Sequence, residues 1–404
     1  MSNYSSNIFK SILSFKESEI SAANDFAQTF AHRPTWAEIN LDALAHNFRE
    51  VRRKVGSETS VIAVVKANAY GHGAVECARR LAKEGADWFG VALPEEGIEL
   101  REAGITQPIL SFGGFWEGQE AACIKDKIVP VIYRAEMAET FDAAARAANT
   151  VADVFVKIDT GMGRLGVRGR QLDEFIDRLI SCVSIRVAGV MTHFAAADEP
   201  ERNSFTEEQA MRFREALDKF AVRGINPQYR AASNSAATFA HDRARFNMVR
   251  PGGVLYGLWR DILQPVEELT PALQPVMSLR TRIALLKPVP LGEPLGYGCT
   301  FSTKRETQVA TLPVGYHDGL MRALSNAGCV IVRGRFAPII GRVSMDLTLV
   351  DVTDVPGVAT GDVVTLIGAD GALSITAEDI ARQASTLSYE VTCGISERVP
   401  RRFV

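Results

Sequence analysis

The sequence predicts an α/β protein in which a (β/α)8, TIM-like barrel is followed by a mainly β C-terminal domain, and three observations carry that expectation. Val61 to Val65 form an unbroken apolar, mostly β-branched run, as expected of a strand buried on both faces in a parallel sheet. From there to about residue 250, strand-like and helix-like stretches alternate with short polar joints, which implies right-handed βαβ units. The alternation stops at three prolines, Pro265, Pro271 and Pro275, and short β-rich stretches punctuated by Gly and Pro take over.

Taken in order, residues 1–33 read as a weakly helical N-terminal extension. TWAEINL then alternates like a strand, and Asp42 is placed to cap a helix over residues 43–55. After Val61–Val65 the expected strands are 88–92, 108–112, 128–132, 153–159, 185–192, 228–232 and 248–250, with helices at 74–84, 136–148, 171–180 and 206–223. That makes eight strands, enough to close a barrel over 34–270, with 34–41 free to pair with the C-terminal domain; an open doubly wound sheet fits the same pattern. In the second domain, 271–404, the expected strands are 276–286, 307–313, 329–332, 337–341, 345–351 and 362–367, with one helix at 377–383.

Composition narrows the partners. Forty-five basic against 48 acidic residues leave a net charge of −3, so no basic excess points to nucleic acid or an anionic membrane, and a small molecule is the expected partner. Six scattered cysteines without a Cys-x-x-Cys pair suit reduced, mostly buried thiols in a cytoplasmic protein rather than a disulfide frame or a metal site. No apolar run approaches the ~20 residues that span a bilayer.

The apolar run ends at Lys66, an awkward place for an ammonium group unless it is neutral, paired or covalently used. A lysine surfacing into water explains the strand end alone equally well. In a barrel, however, the other strand ends meet it at one mouth: Asn68 and Tyr70, Lys157, Asp159 and Arg164, His193, Ser233 to Ser235, and Arg250 followed by Gly252 and Gly253. Ser233, Ser235 and the Gly252 and Gly253 amides form a candidate anion nest. A phosphate facing a strand-end lysine suggests pyridoxal phosphate, although a barrel that binds a phosphorylated sugar fits the nest as well.

Several motifs, AVVKANAYGHG (63–73), VKIDTGMGRLG (156–166), MTHF (191–194), NSAA (234–237), VRPGG with the following LYG (249–257), VGYHDG (314–319), VSMD (343–346) and SYEV with the closing RVPR (388–401), together resemble the pyridoxal-phosphate-dependent alanine racemases. The similarity runs from about Thr35 to Arg401. The resemblance implies that Lys66 carries the cofactor and is one catalytic base. Tyr316 would be the other, contributed across the interface of a head-to-tail homodimer. It implies cofactor binding by Tyr70, His193, Ser235, Arg250, Gly252, Gly253 and Tyr389, substrate binding by Arg164 and Met345, and a modified-lysine candidate in Lys157. The implied activity is two-base interconversion of L- and D-alanine, supplying D-alanine for peptidoglycan in the cytoplasm, with no metal; the alternative is a broad-specificity amino-acid racemase on the same scaffold. An arginine at 250 argues against decarboxylases of this barrel type, which are expected to place an acid there. His317, Glu397 and the 33-residue leader depart from the family pattern.

Overall fold

The computed structural model describes residues 33–263 and 272–404. Almost all of the expected N-terminal extension, and Pro265 and Pro271 of the linker with the boundary at 270, lie outside the described residues. The described chain forms two compact units.

After β1 (Trp36–Ile39), eight strands close a parallel barrel: β2 (Ser60–Val64), β3 (Trp88–Val91), β4 (Ile109–Ser111), β5 (Ile128–Ile132), β6 (Ala152–Lys157), β7 (Ile185–Met191), β8 (Tyr229–Ala231) and β9 (Met248–Val249). β9 returns to β2 with Ser60 opposite Met248 and Val61 opposite Val249, so the open-sheet alternative is ruled out. β5 has the expected bounds and β2 the expected length, one residue earlier; the other strands are one or two residues shorter than the sequence suggests. Ile62, Trp88, Leu110, Val131, Phe155, Met191 and Met248 fill the interior. Trp88 packs edge-on against Phe155 and Tyr229 at 5.5 and 5.3 Å. Gly189 is required there, since a Cβ at that position would lie 2.2 Å from the Phe155 ring.

The first helix, Leu41–Val55, starts two residues earlier than Asp42 would cap it. Asn40 is the cap, accepting the Ala43 N–H at 2.8 Å, and Asp42 falls inside the first turn, where a carboxylate still suits the helix dipole.

The barrel unit comprises Ile39–Ser278, Ile375–Ile395 and the last two residues. The sequence places 375–395 in the β domain; instead, helices Ala377–Ala384 and Ser388–Cys393 fold with the barrel. Close backbone packing fixes this, because a Cβ on Gly71 would meet the Thr392 carbonyl oxygen at 2.1 Å.

The other unit is built from residues 33–38, Leu279–Ser374 and Ser396–Arg402. Its strands are β10 (Met277–Arg282), β11 (Leu285–Val289), β12 (Pro294–Leu295), β13 (Phe301–Ser302), β14 (Thr307–Leu312), β15 (Cys329–Val332), β16 (Arg335–Ile340), β17 (Thr348–Asp351), β18 (Val363–Asp370), β19 (Leu373–Ile375) and β20 (Arg401–Phe403). The main sheet runs β11-β14-β17-β16-β15-β18-β10-β1-β20, with β19 against β18; β12 pairs with β13. The mainly β second domain is therefore present, with β1 in its sheet. Cys77, Cys123 and Cys182 are buried, whereas Cys299 and Cys393 are exposed. Among the described residues no helix is long and apolar enough to cross a membrane.

Candidate active site

The carboxyl end of β2 does something unusual after Lys66. Ala67, Asn68, Ala69 and Tyr70 take φ of +53°, +52°, +54° and +54°, a left-handed turn without a glycine until Gly71. Each such L-residue costs about 1–2 kcal/mol, and a run of them survives only where its surroundings over-determine it. The turn is held at both ends: the Ala67 N–H donates to Glu96 Oε1 at 2.7 Å, and Asn68 Oδ1 accepts the Ala74 N–H at 2.7 Å. Lys66 is thereby fixed at the rim of a cavity of about 310 Å³. Desolvation, with the Arg164 and Arg250 guanidiniums, holds its amine below the ordinary lysine range, which favours a neutral nucleophile.

The cavity brings together most of the residues singled out from sequence: Lys66, Tyr70, Lys157, Arg164, His193, Ser235, Arg250, Gly252 and Tyr389. Arg250 is buried, and its Nη2 donates to the carbonyls of Thr192 (2.8 Å) and Ala232 (3.2 Å) and to His193 Nδ1 (3.1 Å). Burial pushes the guanidinium down to about 9, so it remains charged at neutral pH. A guanidinium only donates, so His193 Nδ1 accepts and Nε2 carries the proton. The imidazole is neutral, because desolvation and the charge of Arg250 hold it well below its usual value. Lys157 is held well below the lysine range by desolvation, Arg250 and Arg164.

On the other side, Ser235 Oγ accepts the Gly252 N–H at 2.9 Å, while Tyr70 and Tyr389 meet edge-on with centroids 5.2 Å apart. A Cβ at Gly252 would lie 2.4 Å from the Tyr70 hydroxyl, and one at Gly253 would lie 2.3 Å from the Tyr389 ring. Burial raises both phenols, which stay protonated and able to donate. Ser233 is not part of this cradle. It is buried, and its hydroxyl donates to the Ala244 carbonyl at 3.2 Å.

Arg164 is exposed on a loop shaped by Asp159, whose Oδ1 accepts the N–H groups of Gly161 (3.1 Å) and Gly163 (2.9 Å). Tyr316 and Met345 belong to the β unit. There the Tyr316 and His317 N–H groups donate to the carbonyls of Ser344 (3.0 Å) and Met345 (3.1 Å), and both Tyr316 and Met345 are about half exposed, 42% and 51%. Buried Asp318 braces the turn, accepting the Gly315 N–H at 3.0 Å and pairing with Arg33 at 2.6 Å and Arg398 at 3.3 Å.

Sequence reasoning missed Glu96, whose only legible signal was a Pro-Glu-Glu helix start, and Asp261. The latter caps the helix carrying Tyr389, accepting the Ser388 N–H at 2.7 Å and hydroxyl at 2.9 Å; 127 residues of separation hid it. Among the described residues no group of three or more His, Cys, Asp or Glu could hold a metal.

The orphan Nη1 of buried Arg250 and the Gly252–Gly253 cradle beneath two phenols fit a flat heteroaromatic phosphate covalently held by the lysine. Comparison with known proteins identifies relatives along both units. Residues 39–259 match the family model for the alanine racemase N-terminal domain, and residues 276–403 match that for its C-terminal domain. The alanine racemase of Halothermothrix orenii is 46% identical over 373 residues, 92% of this chain and 97% of that one. The crystal structure of alanine racemase from Streptomyces lavendulae matches with a TM-score of 0.85 and 37% identity over 92% of this chain and 97% of the other. The Bartonella henselae alanine racemase with covalently bound pyridoxal phosphate matches with a TM-score of 0.81 and 28% identity over 92% and 99%.

Proposed function

The chain belongs to the alanine racemase family, and from that premise we propose that it interconverts L- and D-alanine with pyridoxal 5'-phosphate and two opposed bases. The observation that carries the reading is a desolvated lysine of lowered proton affinity lining one cavity with Arg250 and with Gly252, whose neighbours Tyr70 and Tyr389 leave no room for a Cβ at Gly252 or Gly253. Lys66 would hold the cofactor covalently, with Tyr70, Ser235, Gly252, Gly253 and Tyr389 at its phosphate and His193 and Arg250 at its ring. When bound, the cofactor supplies an aldehyde for the substrate amine and takes up the electron pair left when the α-proton departs.

The protein's own groups do the rest. Arg164 holds the substrate carboxylate by charge-assisted hydrogen bonds, helped by the backbone at Met345. Lys66 Nζ exchanges a proton at one face of the α-carbon, and Tyr316 Oη of the partner subunit in a head-to-tail homodimer exchanges it at the other. Arg250 does not readily yield a proton, so against a bound cofactor's ring it would supply a hydrogen bond and not a proton, which would favour reprotonation of the α-carbon over transamination. Lys157, whose amine burial and the charges of Arg250 and Arg164 hold well below the lysine range, is suited to carbamylation, which would make it an anion that attracts both guanidiniums. In the cell we place this activity in the cytoplasm, supplying D-alanine for peptidoglycan.

Borohydride reduction of the purified protein followed by peptide mapping tests the assignment: label belongs on Lys66, and label on any other lysine sinks it. Alanine, serine and lysine assayed side by side separate an alanine-restricted enzyme from a broad racemase, since extra side-chain atoms must fit a closed wall.

A further inference from the structure

Glu96 lies in helix Pro94–Glu102, outside every motif that marks the site. Its carboxylate accepts three backbone N–H groups on two elements. Oε2 takes those of Ala92 (2.6 Å) and Leu93 (3.4 Å), at the helix's own start, and Oε1 takes that of Ala67 (2.7 Å), the first residue after Lys66. The helix is itself seated firmly, because Gly97 brings it so close to the barrel that a Cβ there would lie 2.8 Å from Ile128. Glu96 therefore connects a rigid helix to the first residue of the strained left-handed run.

We propose that Glu96 is a positioning residue for Lys66, anchoring the left-handed turn that aims the lysine and supplying negative charge beside it. Both oxygens accept N–H groups, so a glutamine would turn an NH2 towards a backbone donor and lose one anchor. An aspartate keeps the charge but is one methylene too short to reach both elements. The charged and titratable groups acting on Lys66 are Arg164, Arg250, Cys393 and Glu96, and Lys157 and His193 in turn feel its charge. Glu96 opposes the arginines, raising the amine's proton affinity.

The inference rests on Lys66 carrying the chemistry. Its test is acetylation of Lys66 in the full-length chain freed of bound aldehyde, followed by mass spectrometry between about pH 6 and pH 10, with turnover of the loaded enzyme measured in parallel. Glu96→Gln should lower the labelling midpoint by about one pH unit and turnover about tenfold. Glu96→Asp should keep the midpoint and lose turnover, and Glu95→Gln, whose carboxylate meets Gln119 instead, should change neither. A wild-type midpoint in Glu96→Gln overturns the proposal. If that variant does not fold, Glu96→Asp with turnover within about twofold of wild type overturns it. Borohydride mapping keeps the two readings apart: label away from Lys66 fails the proposed function and this inference with it, whereas label on Lys66 with an unmoved midpoint fails this inference alone.

Discussion

Gly253→Ala is the sharpest probe of the proposed phosphate cradle. The substitution adds one methyl group without backbone strain, since Gly253 does not have a positive φ. The new Cβ would lie 2.3 Å from Tyr389 Cε1, 2.5 Å from its hydroxyl oxygen and 2.7 Å from Cζ, roughly an ångström inside normal contact. Tyr389 cannot simply swing aside, because its ring packs edge-on against Tyr70 and its helix is pinned by Asp261. Overpacking of this kind costs about 1–3 kcal/mol, which becomes a roughly 5- to 150-fold loss of affinity if it falls on the bound state. Titrating stripped protein with pyridoxal phosphate, followed by absorbance, measures that loss, and a melting curve checks that the barrel still folds. An affinity within twofold of wild type would refute the assignment of this corner to the phosphate.

Other consequences are equally open to measurement. Phe155→Ala removes a fully buried ring from the barrel interior and should cost about 3–5 kcal/mol in urea unfolding, with a cost under about 1 kcal/mol contradicting the packing described. His193 is held well below its ordinary 6.5, so the unfolded chain takes a proton the folded site refuses; stability from this group is complete above that value and is lost as the pH falls below it. The urea midpoint should therefore drop less between pH 7.5 and about 5.5 in His193→Gln than in wild type, and equal drops would contradict the environment assigned to the imidazole. Arg164→Gln should raise KM for alanine about 10- to 100-fold while leaving cofactor affinity unchanged, because its guanidinium is exposed at the cavity rim rather than in the cradle.

Much of the barrel is legible in the sequence because both faces of its strands are buried. Val61 to Val65 has no polar residue to alternate, and the polar letters that follow β2, β6, β7, β8 and β9 mark one mouth. What escapes the sequence is set by tertiary closeness. Nothing in Ala-Asn-Ala-Tyr announces four left-handed residues; Glu96 and Asn68 impose them. Asp42 and Asn40 are both good helix caps by type, and only the path of the chain from β1 selects Asn40. Ser388 to Cys393 comes after the β-rich stretch and one helix in the chain, yet packs against the Gly71 backbone some 320 residues earlier, a pairing that only a structure reveals.

The central claim is that two different residues face the two sides of the α-carbon, and Tyr316→Phe assayed in D2O with each enantiomer separately tests it most directly. The account predicts that racemisation falls about 10²- to 10⁴-fold in both directions while Lys66 continues to exchange the α-proton of one enantiomer for deuterium without inversion. Racemisation at the wild-type rate, or exchange surviving equally in both enantiomers, would contradict it.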